Sequence, residues 1–219
     1  MTYSQLLAFG CSHVAGCELI PMPPQWFADY DSQCKPLSFS NQIADRLGIP
    51  CANWAMSGGS NARTLRLLAR ELAALSPSIV IVGWTYTDRS ECYWPDPGQW
   101  PSRDQDLYLQ LGSQWLDMPD CDTAANRAYI QHIWRPNPTL ATLHRCAQAL
   151  CLQGGHQLIE LIMTDEPDLD TPWAMTLEGS PNYPQWLRDR GFACGPWGHG
   201  LEDAHQSLAD LLVKAVQVE

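Results

Sequence analysis

The stretch that decides the fold is Leu6-Leu7-Ala8-Phe9-Gly10-Cys11-Ser12-His13, an apolar run that stops at a glycine and is followed two residues later by a serine. This pattern predicts a short buried strand over 6–9 that ends in a tight turn. Open α/β sheets carry their chemistry at the carboxyl edge of the strands, where the hydroxyl of Ser12 would be exposed. Such a serine can act as an acyl-transfer nucleophile, or it can simply cap the helix that follows.

Strands and helices are predicted to alternate along the whole chain. Short apolar runs predict further strands at Cys51–Ala55, Ser78–Gly83 and His156–Met163. Helical spacing and capping residues predict helices over Ser38–Leu47, from the Ser60 cap to Leu75, over Thr123–Trp134, from Asn137-Pro138 to Leu152, around Trp186, and over Leu201–Val216. This alternation favours an α/β fold, a parallel sheet flanked by helices, in one domain spanning 1–219. Residues 84–122 are rich in Trp, Pro, Asp and Tyr, and we expect an irregular insertion there.

The charge balance argues against several classes of partner. The net charge is −11 and only two lysines are present, so no basic patch for nucleic acid or an anionic membrane is visible. The first residues lack the pattern of a secretory signal, and no apolar run approaches the length of a membrane span. The ten tryptophans either pack in the core and loops or line a pocket for a sugar or acyl chain.

The nine cysteines show no metal-binding spacing. They lack the repeated short intervals of zinc sites, so we expect reduced, mostly buried thiols, no metal, and a cytoplasmic location. No motif calls for a cofactor. The hypothesis that the protein binds a metal through Cys and His side chains is therefore a weak one.

Four short blocks resemble the SGNH/GDSL hydrolase family. They are Gly10-Cys11-Ser12-His13 for the family's Gly-Asp-Ser-Leu, Asn53-Trp54-Ala55-Met56-Ser57-Gly58 for its second glycine block, Gly83-Trp84-Thr85 for its Gly-x-Asn, and His199-Gly200 for its Asp-x-x-His-Pro. The resemblance implies a flavodoxin-like, three-layer α/β/α sandwich. It also implies a serine esterase or acyl hydrolase that forms an acyl-enzyme on a small-molecule or acylated carbohydrate substrate.

The resemblance also implies a role for individual residues. Ser12 would be the nucleophile and His199 its general base, while the amides of Ser12 and Gly58 would bind the oxyanion. Gly58 equally suits a simple turn. Thr85 stands where the family has its third oxyanion donor, an asparagine, and its shorter side chain would make it a weaker donor.

The acid of a catalytic triad is missing from its expected place. The family has Asp three residues before the histidine, and this chain has Pro196. Either the site works as a Ser-His dyad, or another part of the chain supplies the acid of a triad. The candidates for that acid, which the sequence does not rank, are Asp88, Asp165 and Glu202. Glu202 and His205 reproduce the Asp-x-x-His spacing and form an alternative catalytic pair, although both residues also suit the first turns of a helix.

Two further residues are candidates for substrate binding. His13 follows Ser12 directly and either lines the pocket or packs on the first helix. Arg89 follows the third strand and either holds an anionic substrate group or forms a surface ion pair. Because the family's Asp and Asn are both replaced, the alternative function is a catalytically impaired or repurposed protein that binds a small ligand in the same cleft. The oligomeric state is left open.

Overall fold

The computed structural model describes residues 3–21, 30–73, 75–93, 108–111, 139–166, 169 and 171–217. Its strands are β1 (Leu6–Phe9), β2 (Cys51–Asn53), β3 (Ile79–Trp84), β4 (Ser90–Tyr93), β5 (Tyr108–Leu111) and β6 (Gln157–Ile162). Its helices are α1 (Ser12–Ala15), α2 (Tyr30–Cys34), α3 (Phe39–Leu47), α4 (Asn61–Leu72), α5 (Leu140–Gly154), α6 (Tyr183–Arg190) and α7 (Glu202–Gln217), with one 3₁₀ turn at Lys35–Leu37.

The central sheet is parallel and has the order β2-β1-β3-β6. Leu6 lies opposite Cys51 on one side and Ile79 on the other. This flavodoxin-like order reverses direction between β1 and β3, and ligands of open α/β sheets bind in the crevice at such a switch point. The residues that follow β1 and β3, Ser12 and Thr85 among them, therefore lie beside that crevice.

Alternate residues of each strand pack against helices on opposite faces of the sheet. One face carries Leu6, Ala8, Ile79, Ile81, Ile159 and Leu161, packed with buried residues of α3, α6 and α7. The other carries Leu7, Phe9, Val80, Val82 and Trp84, packed with buried residues of α4 and α5. These strands are apolar throughout because both of their faces are covered. The predicted three-layer α/β/α architecture is confirmed.

The helix ends follow the capping residues in the sequence. Ser60 caps α4, since its Oγ accepts from the amide of Arg63 at 3.1 Å. At the other end, α3 stops where Gly48 takes a positive φ of 67°. Among the described helices, none combines the length and the apolar character needed to cross a bilayer.

Regular structure is present in the segment that was expected to be irregular. β4 pairs with β5 in an antiparallel ladder in which Ser90 lies opposite Leu111. The expectation of an irregular insertion was wrong for these residues, because cross-strand pairing over a long connection leaves no local signature. The predicted helix over Thr123–Trp134 and the Asn137-Pro138 cap lie outside the described residues.

Candidate active site

Two glycines bring the first helix close to the sheet edge. A Cβ on Gly10 (φ 148°) would lie 2.7 Å from the carbonyl oxygen of Gly83 and 2.8 Å from the Val14 side chain. A Cβ on Gly83 would lie 2.4 Å from the same valine. Because both positions lack a Cβ, α1 starts directly above the ends of β1 and β3. Ser12 is the first helical residue and Cys11 is the N-cap, so the Ser12 hydroxyl is not the helix cap.

A histidine bridges the serine and a carboxylate. His199 Nε2 lies 2.7 Å from Ser12 Oγ, and His199 Nδ1 lies 2.7 Å from Glu18 Oε2. His199 and Glu18 are 8% and 9% exposed, so solvent weakens neither hydrogen bond greatly. The three side chains have the connectivity of a Ser-His-acid triad, with the imidazole between the hydroxyl and the acid.

Glu18 is the acid that the sequence did not reveal. Its backbone has a φ of 70°, an uncommon conformation for a residue other than glycine, and its amide donates to Tyr30 Oη at 3.0 Å. Its carboxylate also accepts the amides of Trp197 at 3.0 Å and His199 at 3.1 Å. The two bonds from Trp197 and His199 place the carboxylate against the loop that carries the histidine. One signal was available, since Glu18 is the single charged residue in the otherwise apolar stretch 14–20.

The histidine loop wraps around this carboxylate. Residues 194–200 close through a bridge between Cys194 and Gly200 and a 2.9 Å bond from the amide of Gly195 to the His199 carbonyl. A Cβ on Gly195 would lie 2.5 Å from the carboxyl group of Glu18. Glycine at 195 therefore lets the loop approach the acid.

Two of the other acid candidates, Asp165 and Glu202, have partners other than His199. Asp165 accepts from Tyr86 at 3.5 Å and pairs with Arg188 at 3.4 Å, with about half of its side chain exposed. Glu202 is exposed and accepts from Gln206. Neither is the acid bonded to His199; that partner is Glu18.

His205 is a structural residue in this fold. It is fully buried, its Nδ1 accepts the amide of Phe39 at 3.0 Å, and its Nε2 has no hydrogen-bond partner among the described residues. Burial lowers the pKa of His205 to about 4. The Glu202–His205 pair is therefore not the arrangement that meets Ser12. The three-residue spacing from Glu202 to His205, which resembles the motif, is one turn at the start of α7.

The environment keeps the His199 imidazole neutral. Burial lowers the pKa of His199, and the hydrogen bond and charge of Glu18 oppose that shift. A neutral imidazole is the form that can accept the proton of Ser12.

The second glycine block, residues 53–58, is hydrogen-bonded to the turn that precedes Ser12. Gly58 has a φ of 74°, and the amide of Met56 donates to the Gly10 carbonyl at 3.1 Å. The buried carboxylate of Asp31 accepts both the amide of Ser57 at 2.8 Å and its hydroxyl at 2.6 Å. The turn that presents the Gly58 amide is thereby fixed by Asp31, a residue that sequence reasoning did not single out.

Thr85 and Arg89 form a buried pair at the end of β3. The backbone of Thr85 exchanges two hydrogen bonds with the side chain of Asn61, at 2.8 and 2.9 Å. Its Oγ1 accepts from Arg89 Nη1 at 2.8 Å. Arg89 is only 7% exposed and lies over the Tyr86 ring, 4.8 Å from the centroid. The expectation of a surface ion pair for Arg89 was wrong, because the chain after β3 turns the side chain inward.

His13 packs directly on the imidazole of His199. The two ring centroids are 4.6 Å apart, and Tyr183 meets His13 edge-on at 5.3 Å. Burial, followed by the nearby His199 and Arg89, lowers the pKa of His13. His13 thus packs against the rings of His199 and Tyr183, and its contact with a bound substrate stays a prediction.

No metal cluster is found among the residues that the structure describes. No group of three His, Cys, Asp or Glu side chains there could hold an ion. Seven of the described cysteines carry free thiols: Cys11, Cys17, Cys34, Cys51, Cys146, Cys151 and Cys194.

The chain matches no protein-family model and no curated protein. Among solved structures it is similar to a carbohydrate esterase family 2 enzyme with a carbohydrate-binding domain from Corynascus thermopiles (Myceliophthora fergusii), with TM-score 0.50 and 14% identity over 97% of this chain and 65% of that chain. The chain has an SGNH/GDSL-type fold. The fold inferred from the four sequence blocks is thus confirmed.

Two further solved structures have lower similarity. An acetyl xylan esterase from Butyrivibrio proteoclasticus gives TM-score 0.44 and 10% identity over 99% of this chain and 64% of that chain. A member of the lipolytic G-D-S-L family from Veillonella parvula gives TM-score 0.43 and 11% identity over 98% of this chain and 97% of that chain. The chain spans about two thirds of the length of each of the two esterases.

Proposed function

We propose that this protein is a serine hydrolase that cleaves an ester or O-acyl group through a Ser12 acyl-enzyme. The observation that carries the proposal is the continuous contact from Glu18 through His199 to Ser12, with both hydrogen bonds at 2.7 Å. The absence of an acid was a main reason to consider a catalytically impaired binding protein. Glu18 removes that reason.

The reaction follows from the geometry. His199 Nε2 takes the Ser12 proton while Oγ attacks the carbonyl carbon and the carbonyl π electrons move onto oxygen. The tetrahedral intermediate expels the alcohol, which leaves with the proton held by His199. His199 then deprotonates water, the hydroxide attacks the acyl-enzyme, and Ser12 leaves with the proton as the carboxylic acid is released. Glu18 keeps Nδ1 protonated and stabilises the imidazolium in both steps.

The amides of Ser12 and Gly58 are proposed as oxyanion donors, and His13 and Arg89 as residues that border the bound substrate. The loop of residues 56–59 supports this assignment, because Asp31 and the Gly10 carbonyl hold it in place before substrate binds. Donors that are already oriented stabilise developing charge without a reorganisation cost.

An acylated carbohydrate is the proposed substrate class. Trp197 is 57% exposed although its amide is bonded to Glu18, so a flat aromatic surface lies two residues from His199. An exposed aromatic ring beside a site is suited to pack against the apolar face of a sugar ring. The fold neighbour at TM-score 0.50 is itself a carbohydrate esterase. Trp197→Ala should raise KM for an acetylated oligosaccharide and leave p-nitrophenyl acetate hydrolysis unchanged.

Covalent labelling tests the nucleophile. A fluorophosphonate probe should label Ser12, and Ser12→Ala should abolish both labelling and hydrolysis of p-nitrophenyl acetate. His199→Ala should remove most of kcat, whereas His205→Asn, a matched change of a buried histidine, should retain it. Labelling at another residue would overturn the serine mechanism. Saturable sugar binding with neither labelling nor turnover would instead favour a ligand-binding protein.

A reducing compartment such as the cytoplasm is the proposed location. Seven of the described cysteines carry free thiols, and five of these are buried or half-buried next to apolar neighbours. Thiols persist where glutathione and thioredoxin keep them reduced.

A further inference from the structure

We infer that the guanidinium of Arg89 supplies the third stabilising contact to the oxyanion, and that Thr85 anchors it. This inference rests on the proposed function and concerns the role for which the family uses an asparagine. Arg89 is a catalytic residue in this inference because its guanidinium contacts the oxyanion. Thr85 is a positioning residue because it acts only by holding Arg89.

The position of Arg89 is the first argument. Its Nη1 donates to Thr85 Oγ1 at 2.8 Å, and Thr85 directly follows β3. β3 pairs with β1 up to Phe9, so the ends of these two strands are adjacent. Cys11, the residue before Ser12, is a further neighbour of the guanidinium. Arg89 thus lies across the crevice between the end of β3 and the nucleophile.

The charge of Arg89 acts on the two imidazoles beside Ser12. The positive charge of Arg89 is among the causes that lower the pKa of both His13 and His199. A cation that acts on these imidazoles also acts on an oxyanion formed at Ser12, with the opposite sign. Because Arg89 is only 7% exposed, water screens that interaction less than it would at the surface.

The chemistry of the Thr85–Arg89 bond is the third argument. A guanidinium has donors only, so the Thr85 hydroxyl must accept in this bond. The carbonyl and amide of Thr85 are both held by Asn61, which fixes the point from which the guanidinium is held. The Tyr86 ring supports its face. The fork is therefore oriented before any substrate arrives, as an oxyanion donor must be.

Kinetics of Arg89 variants on p-nitrophenyl acetate test the inference. Arg89→Ala should lower kcat by about 10²–10³-fold with little change in KM, since loss of one oxyanion donor has that effect. Free guanidinium ion at a non-denaturing concentration should restore part of this loss. Arg89→Lys, which keeps the charge without the fork, should lose about tenfold. Thr85→Val should have a smaller effect that Thr85→Ser reverses.

The control is Arg66→Ala. Arg66 bonds Glu91, two residues after Arg89, at 2.8 and 2.9 Å, so this variant perturbs the same segment without touching the proposed contact. Its kcat should stay near that of the wild type and should not respond to guanidinium.

Three results would overturn the inference. They are an unchanged kcat in Arg89→Ala, a rise in KM alone, and a loss of kcat that guanidinium does not restore. If Arg89→Ala fails to fold by circular dichroism, Arg89→Lys decides, and full activity there refutes the need for the fork. Fluorophosphonate labelling of Ser12 in the same variants separates this failure from failure of the proposed function. If Ser12 is labelled and the Arg89 variants are fully active, the role of Arg89 is refuted but the hydrolase function is not. If the wild type is neither labelled nor active, both the hydrolase function and the role of Arg89 are refuted.

Discussion

Glu18→Gln is the change that tests the candidate triad most directly. The carboxylate accepts three hydrogen bonds from the histidine loop, from the His199 ring and from the amides of His199 and Trp197. Glutamine has nearly the same shape but no charge, and one of its two polar atoms is a donor. The variant can therefore satisfy the loop amides only by turning its NH₂ group away from them.

The expected loss of kcat is about 10- to 10⁴-fold. A hydrogen bond to a charged group is worth about 1.5–3 kcal/mol, which alone corresponds to about 10- to 150-fold. A larger loss follows if the amide NH₂ faces Nδ1, because His199 then carries its proton on Nε2 and cannot accept one from Ser12. In a Ser-His-acid triad this wrong tautomer has an effect of about 10⁴ in kcat.

The pH profile should move in a stated direction. Glu18 raises the pKa of His199 against the lowering effect of burial, so its removal lowers that pKa further. The base must be neutral, and activity falls as pH drops through its pKa. The acidic limb of kcat/KM in Glu18→Gln should therefore lie at lower pH than in the wild type, under a lower plateau.

Two variants control for shape and backbone. Glu18→Asp keeps the charge and should retain more activity than Glu18→Gln. Glu178→Gln is the matched control, because Glu178 also has a positive φ, 52°, and accepts an indole N–H from Trp186 at 3.0 Å. It should leave kcat/KM unchanged. If Glu18→Gln retains kcat within a few fold, the acid has no catalytic role, and a Ser-His dyad is the working unit.

Three further outcomes are expected. Asp31→Asn should lower kcat by about tenfold, or about 1.4 kcal/mol, because its carboxylate orients Ser57 and hence the Gly58 amide; an unchanged kcat would make Asp31 a purely structural residue. His205 has a pKa of about 4 in the folded protein and an ordinary value of 6.5. As the pH falls, the unfolded chain therefore binds a proton at this histidine before the folded protein does. The free energy of unfolding should fall by about 3 kcal/mol between pH 6.5 and pH 4. Urea unfolding across that range should show a smaller loss in His205→Asn, whose amide oxygen can still accept from Phe39. Thiol titration of the denatured protein should find nearly all nine cysteines free, and zinc or iron retained after chelation would contradict the expected absence of metal.

The layers of this fold were predictable because local patterns report burial. The runs at Leu6–Phe9 and Ile79–Trp84 are apolar at every position, as strands covered on both faces must be. Ser60 marks the start of α4, and Gly48 the end of α3. The hairpin of β4 and β5 escaped prediction, since its partner strands are separated by a connection with no repeating pattern.

By itself, the sequence determined that Ser12 follows the end of a strand and that His199 lies in a loop before the last helix. Both are local properties, marked by the glycines of turns and loops. Tertiary structure alone decided the partners of those residues. Glu18 reaches His199 across 181 positions only because residues 194–200 fold around it, and the chain after β3 brings the Arg89 side chain inward to the hydroxyl of Thr85. His205, similar in spacing to a motif, is instead buried against Phe39. A hydrogen bond between remote segments forms only if the donor–acceptor distance is correct to within a few tenths of an ångström. Only the packing of the whole core determines that distance.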